Sequence, residues 1–123
     1  MELTTEILSG DNYKIGIARV IEFLRTVGTS KVIVSYGFDC DCPENELYQP
    51  LTIPLDTLQL FIIESEAKGY YRPRQNDLWV DEPNGIAKFL FCHESDIHLT
   101  SDSVELICQM QELWQDSGLV KCD

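Results

Sequence analysis

Apolar residues recur along this sequence at two spacings, one typical of helices and one typical of strands. Between residues 12 and 27 they recur at steps of three and four, which places them on one face of a helix. Asp11 is the expected N-cap of this helix, and Gly28 is expected to end it. The predicted inward positions are Ile17, Val20, Ile21, Leu24 and Val27.

Two further helices are predicted later in the chain. Pro54 suits the first turn of a helix over 54–68. Asp102 and Glu105 have the spacing of a capping box, with Asp in place of Ser or Thr, at the start of a helix over 102–117. The predicted inward positions of this last helix are Val104, Ile107, Cys108 and Trp114.

Strand patterns fill the chain between these helices. Residues 31–36 are β-branched and apolar, as in a buried strand. Residues 77–81 and 86–93 flank an Asn-Gly pair, whose two residues favour positive φ angles, so we predict a β-hairpin with a tight turn there. A further strand is expected over 95–99.

The order of these elements predicts an α+β fold. Strands joined by a tight turn are antiparallel, so we expect a mostly antiparallel sheet of three to five strands with about three helices packed on one face. The 123 residues match the usual size of one domain. We therefore expect residues 1–123 to form a single globular domain.

The net charge of the chain indicates which class of partner it binds. Nine Lys and Arg residues face 21 Asp and Glu residues, a formal charge of −12 at pH 7, and residues 76–123 alone carry ten acids against two bases. Such a field repels nucleic acid and anionic membranes and speeds the approach of a cationic partner. No apolar run approaches the about 20 residues that a bilayer span needs. We therefore expect a basic protein partner rather than nucleic acid or a membrane.

The cysteines and the first residues of the chain indicate the cellular compartment in which the protein resides. Five cysteines are an odd number, which does not suit a secreted disulfide scaffold. The first residues are acidic and lack the basic, apolar start of a signal peptide. Both features favour free thiols in the cytoplasm. Because the chain has neither a phosphate-binding glycine loop nor a nucleophile-elbow motif, we expect a non-enzymatic protein without a cofactor.

One polar segment, residues 37–50, is predicted to be a loop. It carries four carboxylates within eight residues, at Asp39, Asp41, Glu44 and Glu46. Such a cluster favours contact with a cationic surface, and it opposes thiolate formation at Cys40 and Cys42.

A second segment, residues 92–98, is dense in metal-ligand and acid–base side chains. If the strand continues through it, alternate residues share one face, which brings together Glu94, Asp96 and His98. Two carboxylates and an imidazole can hold a divalent cation or act in acid–base chemistry. The solvated outer face of a sheet is the simpler interpretation of the same pattern.

In length, acidity and single-domain character the chain resembles small acidic bacterial immunity proteins, which implies that it binds and inhibits a basic toxin, in particular one of nuclease type. The carboxylates expected to meet that partner are Asp39, Asp41, Glu44, Glu46, Asp77, Asp81, Glu82, Glu94 and Asp96. One alternative is a small metal-binding protein or hydrolase-like enzyme that uses residues 92–98, with Glu94, Asp96 and His98 as metal ligands and with His93 or Cys92 as further candidates. Another alternative is an adaptor or assembly subunit.

Overall fold

A computed structural model of the protein describes residues 1–120. Its helices are α1 (Gly10–Thr26), α2 (Leu58–Ala67) and α3 (Val104–Asp116). Its strands are β1 (Glu2–Thr4), β2 (Lys31–Tyr36), β3 (Leu51–Pro54), β4 (Leu78–Asp81), β5 (Lys88–Phe91) and β6 (Ile97–Thr100). Two short 3-10 turns lie at residues 44–46 and 55–57.

The six strands form one sheet in the order β1-β6-β5-β4-β2-β3, and every neighbouring pair is antiparallel. The predicted α+β class, the antiparallel sheet and the three helices are confirmed. The predicted strand number is slightly too low. The two outermost strands, β1 and β3, were not predicted, because β1 has only three residues and β3 is a mostly exposed edge strand that ends in a proline.

The core lies between one face of the sheet and the helices. Alternate residues of the central strands are fully buried on that face, among them Val34, Val80 and Phe89. Phe23 of α1 meets Phe89 edge to face, with ring centroids 5.9 Å apart. α1 and α3 also pack against each other. The opposite face of the sheet therefore carries the remaining alternate side chains.

The first helix agrees with its predicted span, but its cap differs. α1 begins at Gly10, and Ser9 Oγ accepts a hydrogen bond from the backbone N–H of Asn12. Asp11 lies inside the first turn, where its charge favours the positive end of the helix dipole. Gly28 follows the helix with a φ of +86°, the left-handed conformation that favours glycine.

The starts of the other two helices also differ from the prediction. Pro54 is the last residue of β3 and does not lie in the first turn of a helix. α2 instead starts at Leu58. In α3 the N-cap is Ser103, whose Oγ accepts from the N–H of Leu106, and not Asp102. The predicted inward set of α3 is partly wrong, since Val104 and Cys108 are exposed. Met110 and Trp114 are the fully buried residues of this helix.

The predicted hairpin is present, although its turn differs. Four residues, 83–86, connect Glu82 to Ala87, and the N–H of Glu82 donates to the carbonyl of Ala87 over 2.9 Å. Gly85 has a φ of +80°, whereas Asn84 is not in the left-handed region. The reason is the buried Glu82 carboxylate, which accepts the backbone N–H groups of Asn84 and Ile86 over 2.8 and 3.1 Å. Pro83 also fixes a negative φ ahead of the Asn-Gly pair.

Within the described residues no helix is both long and apolar enough to cross a membrane. Four cysteines are free thiols, namely Cys40, Cys42, Cys92 and Cys108. The fifth, Cys122, lies outside the described residues.

Candidate functional site

The sheet face opposite the core carries a row of partly exposed side chains on adjacent strands. The cross-strand register aligns Ser35 with Trp79, Trp79 with Leu90, and Leu90 with His98. A parallel row pairs Ile33 with Asp81 and Asp81 with Lys88. We call this surface the open face and define it by Ile33, Ser35, Trp79, Asp81, Lys88, Leu90 and His98. The mixture of apolar and polar groups is unlike the continuous apolar face beneath the helices.

Trp79 connects the open face to the predicted polar loop. Its side chain is 36% exposed and lies against Gly37, where an added Cβ would come within 3.0 Å of Trp79 Nε1. A larger residue here would require the indole or Asp77 to shift by a few tenths of an ångström. The segment 37–50, which we call the acidic loop, therefore starts beside the aromatic side chain of the open face.

Hydrogen bonds hold the backbone at the start of the acidic loop. The N–H of Asp41 donates to the carbonyl of Tyr70 over 3.0 Å, and Asn76 Nδ2 donates to the carbonyl of Asp39 over 2.9 Å. Cys40 Sγ lies 3.2 Å from the carbonyl oxygen of Asp77. Asp39 has a φ of +61°, a conformation that Asp tolerates better than most residues. The loop is thus tied to the start of β4.

The four predicted carboxylates of this loop are all exposed, at Asp39, Asp41, Glu44 and Glu46. Within residues 1–120 none of them has a Lys, Arg or His nitrogen within 4.0 Å. Three large apolar side chains beside them are at least half exposed: Phe38, Tyr48 and Leu51. The loop therefore combines unpaired negative charge with exposed apolar surface.

The carboxylates predicted on the hairpin are placed differently from those of the loop. Asp77 is buried, and its Oδ1 lies 2.8 Å from both the backbone N and the ring Nδ1 of His93. Glu82 is buried and shapes the hairpin turn. Of these predicted interface acids beyond residue 75, Glu94 is the exposed one.

Asp81 and Asp96, the other two predicted interface acids, are half-buried. Asp81 lies opposite Lys88 on the open face, and its buried Oδ1 has no hydrogen-bond partner among the described residues. Burial raises the pKa of the Asp81 carboxyl above its ordinary value, and Lys88 opposes that shift. Asp96 Oδ1 lies 3.0 Å from Nε2 of His98. Partner binding by these carboxylates stays a prediction.

Both histidines lie at one end of the open face, each beside a carboxylate. The ring of His93 also packs on Phe38 of the acidic loop, with ring centroids 4.5 Å apart. The hydrogen bond to Asp77 raises the pKa of His93. Of the predicted set Glu94, Asp96 and His98, the structure brings together the last two.

Cys92 takes the place that the sequence had suggested for Glu94. The ligand atoms of Cys92, Asp96 and His98 all lie within 4.8 Å of one another, and so do those of Asp77, Cys92 and His93. The strand does not continue through 92–98 but is interrupted by a turn at 93–95, where the Glu94 side chain is exposed. The turn could have been suspected from the polar run His93-Glu94-Ser95-Asp96, although such a run also suits an exposed strand.

Burial opposes thiolate formation at the cysteines of this region. Burial is the main cause that raises the pKa of Cys92 to about 11 and that of Cys40 to about 11. Burial likewise raises the pKa of Cys42, and the neighbouring carboxylates act in the same direction. Cys92 Sγ and Asp77 Oδ1 both approach the same ring nitrogen of His93, at 3.9 and 2.8 Å. A nucleophile–histidine–carboxylate relay needs the two ring nitrogens for two different partners, so this geometry is not a catalytic triad.

A separate apolar cleft of about 540 Å³ lies between α1 and α2. Its walls include Ile17, Ile21 and Ile62, and Lys14 and Arg74 also line it. None of the residues that the sequence had suggested as functional contributes to this cleft.

Comparison with known proteins gave no guide to the function. No protein-family model matches the chain, and neither the curated proteins nor the solved structures contain a significant match to it. The function is therefore inferred from the residues and geometry of the site itself.

Proposed function

We propose that this protein is a non-enzymatic inhibitor that binds a basic protein through the acidic loop and the part of the open face around Trp79. The observation that supports this proposal is that the loop carboxylates are exposed and unpaired. Four of them are exposed and lack a cationic partner within the described residues, on a loop whose first residues are tied to β4.

Electrostatic and apolar surfaces contribute differently to such an interface. Clustered carboxylates speed the encounter with a cationic surface and fix its orientation. Aromatic side chains at the centre of an interface supply most of the binding energy in typical complexes. Phe38, Tyr48 and Trp79 are aromatic and partly exposed, and all three belong to the acidic loop or the strand beside it. The hydrogen bonds of the loop reduce the entropy lost on binding.

The partner that we propose is a nuclease-type toxin domain, with this chain as its immunity protein. A nuclease must present Lys and Arg to the phosphates of its substrate. A protein with clustered carboxylates competes for those same cationic groups, and binding there blocks the cleft. The resemblance in size, acidity and fold class to small acidic immunity proteins supports the same choice.

The test uses two variants with the same change in charge. The loop-neutral variant is Asp39→Asn, Asp41→Asn, Glu44→Gln and Glu46→Gln. The α3-neutral variant is Asp102→Asn, Glu105→Gln, Glu112→Gln and Asp116→Asn, whose four acids are also exposed. Each variant removes four negative charges, so a difference between them reports where the charge lies and not how much there is.

Each form of the chain is immobilised and exposed to an extract of the native cell, and bound proteins are eluted with rising salt. We expect the wild-type and α3-neutral chains to retain a basic nuclease that the loop-neutral chain releases at lower salt. Addition of the wild-type chain should then inhibit that nuclease at a one-to-one ratio. Equal retention by all three forms, or an eluted partner without nuclease activity that the chain can inhibit, would contradict the proposal.

A further inference from the structure

Three side chains of different chemistry meet where β5 turns into β6. Cys92 follows β5, Asp96 precedes β6, and His98 lies within β6. Their ligand atoms lie within 4.8 Å of one another, and His98 Nε2 is 3.0 Å from Asp96 Oδ1. Tetrahedral ligands around Zn²⁺ are separated by about 3.3–3.7 Å, so each of these separations is within about 1.5 Å of the value that an ion requires.

The backbone, and not the side chains, creates this arrangement. A three-residue turn, 93–95, reverses the chain, with Ser95 in the left-handed region at a φ of +69°. The N–H of Cys92 donates to the carbonyl of Asp96 over 3.0 Å, so these two residues are cross-strand neighbours. His98 lies two residues after Asp96 and therefore shares its face. All three side chains consequently belong to the same face of one hairpin.

We infer that Cys92, Asp96 and His98 form a binding site for a single Zn²⁺-class divalent ion. A thiolate, a carboxylate and an imidazole are ligands that Zn²⁺ accepts together, whereas Mg²⁺ and Ca²⁺ prefer oxygen ligands alone. Binding releases the thiol proton of Cys92 to solvent. Three protein ligands leave one coordination position for water, which can reach the site because the side chains of Asp96 and His98 are 17% and 24% exposed.

The second ring nitrogen of His98 has its own partners. Thr4 Oγ1 lies 3.3 Å from Nδ1, and a Glu2 carboxylate oxygen lies 3.6 Å from it. Such outer contacts orient an imidazole so that its other nitrogen faces a metal. The contact to Thr4 comes from β1, so the orientation depends on the sheet and not on the hairpin alone.

The neighbouring group of Asp77, Cys92 and His93 is the less suitable site, although it shares the same thiol. Asp77 Oδ1 already lies 2.8 Å from both the backbone N and Nδ1 of His93, and the ring packs on Phe38. An ion there would compete with the backbone N–H of His93 for Asp77 Oδ1 and would disturb the packing on Phe38, whereas an ion at the proposed site would replace a contact between two of its own ligands. His93 therefore supplies a matched control for His98.

The experiment adds Co²⁺, and separately Zn²⁺, to the reduced, chelator-treated chain. We expect one ion per chain and an ultraviolet thiolate-to-Co²⁺ charge-transfer band, which Zn²⁺ removes by displacement. His98→Ala, Asp96→Asn and Cys92→Ala should each lose the band, and Thr4→Val should weaken binding by about tenfold. His93→Gln and Cys42→Ser should keep both the band and the stoichiometry.

Circular dichroism of the metal-free variants separates loss of ligands from loss of fold. His98 is only half-buried, so His98→Ala keeps the test valid even where the buried Cys92→Ala variant misfolds. No band with the wild-type chain would overturn the inference. A band that survives His98→Ala but disappears in His93→Gln would also overturn it, since the ion would then bind the other group. Neither result would affect the partner proposal, which does not use these ligands.

Discussion

At the scale of residues, the carboxylates of this protein divide according to whether the fold provides them with hydrogen-bond donors. Glu82 and Asp77 are buried and accept backbone N–H groups, so they organise the hairpin and the start of β4. Glu44 and Glu46 are exposed and have no cationic partner within the described residues. Sequence composition counts all four alike, and only the fold separates structural acids from those free to meet a partner.

Asp81 is half-buried, and its titration can be measured. Its folded-state pKa is raised above the ordinary 3.8 by burial, so the folded protein holds this proton more tightly than the unfolded chain. The folded state must then lose stability as the pH rises from the ordinary pKa through the raised one. We expect Asp81→Asn to increase the free energy of unfolding near neutral pH, measured by urea denaturation, and to change it little at a pH below the ordinary pKa.

Asp116→Asn is the control for this prediction, because Asp116 is exposed on α3. It should change the free energy of unfolding by no more than about 0.5 kcal/mol at either pH, as is usual for surface substitutions. An Asp81→Asn protein that is less stable than wild type near neutral pH would show that the interaction with Lys88 outweighs the burial of the carboxylate.

At the scale of elements, long periodic segments could be predicted and short ones could not. The apolar stripe of α1 runs over four turns, and β2 contains three consecutive β-branched residues, 32–34, so both were predicted with nearly correct bounds. β3 was missed because Leu51–Pro54 contains a proline and belongs to the edge of the sheet, where the burial pattern is weak. The Asn-Gly turn was misjudged because a buried side chain, Glu82, decides its shape.

The candidate metal ligands illustrate the same limit. Asp96 and His98 could be predicted as neighbours because a spacing of two places residues on one face of any strand. Cys92 could not be placed beside these two residues from the sequence, since its approach to Asp96 depends on where the chain turns. If the turn were shifted by one residue, the side chain of Cys92 would lie on the opposite face of the sheet from those of Asp96 and His98.

The N-cap of α3 gives a direct test of an element boundary. Ser103 Oγ accepts a hydrogen bond from the N–H of Leu106 over 3.2 Å, whereas Asp102, the cap expected from the sequence, precedes it. Ser103→Ala should therefore lower the free energy of unfolding by about 1 kcal/mol, the usual cost of removing a cap. Asp102→Ala should cost less than half as much. The opposite ranking in urea denaturation would mean that α3 begins at the position that the sequence suggested.

At the scale of the whole molecule, a net charge of −12 does not by itself identify an interface. Most of the hairpin carboxylates that the sequence suggested as partner-binding residues are buried or half-buried in the fold. The exposed acids after residue 75, within the described residues, lie largely on α3. The acidic loop is distinct because its carboxylates share one segment with the exposed aromatic side chains of Phe38 and Tyr48, and this segment begins at Gly37 beside Trp79. Position, and not total charge, is therefore the basis of the functional proposal.

The most direct measurement is the association rate of the captured basic partner with the wild-type, loop-neutral and α3-neutral chains over a series of salt concentrations. We expect the loop-neutral chain to associate at least about tenfold more slowly at low salt, with a flatter dependence on salt. The α3-neutral chain should stay within about threefold of wild type, since its charges lie outside the interface. Equal slowing of both variants would contradict the account, because net charge alone would then explain the attraction.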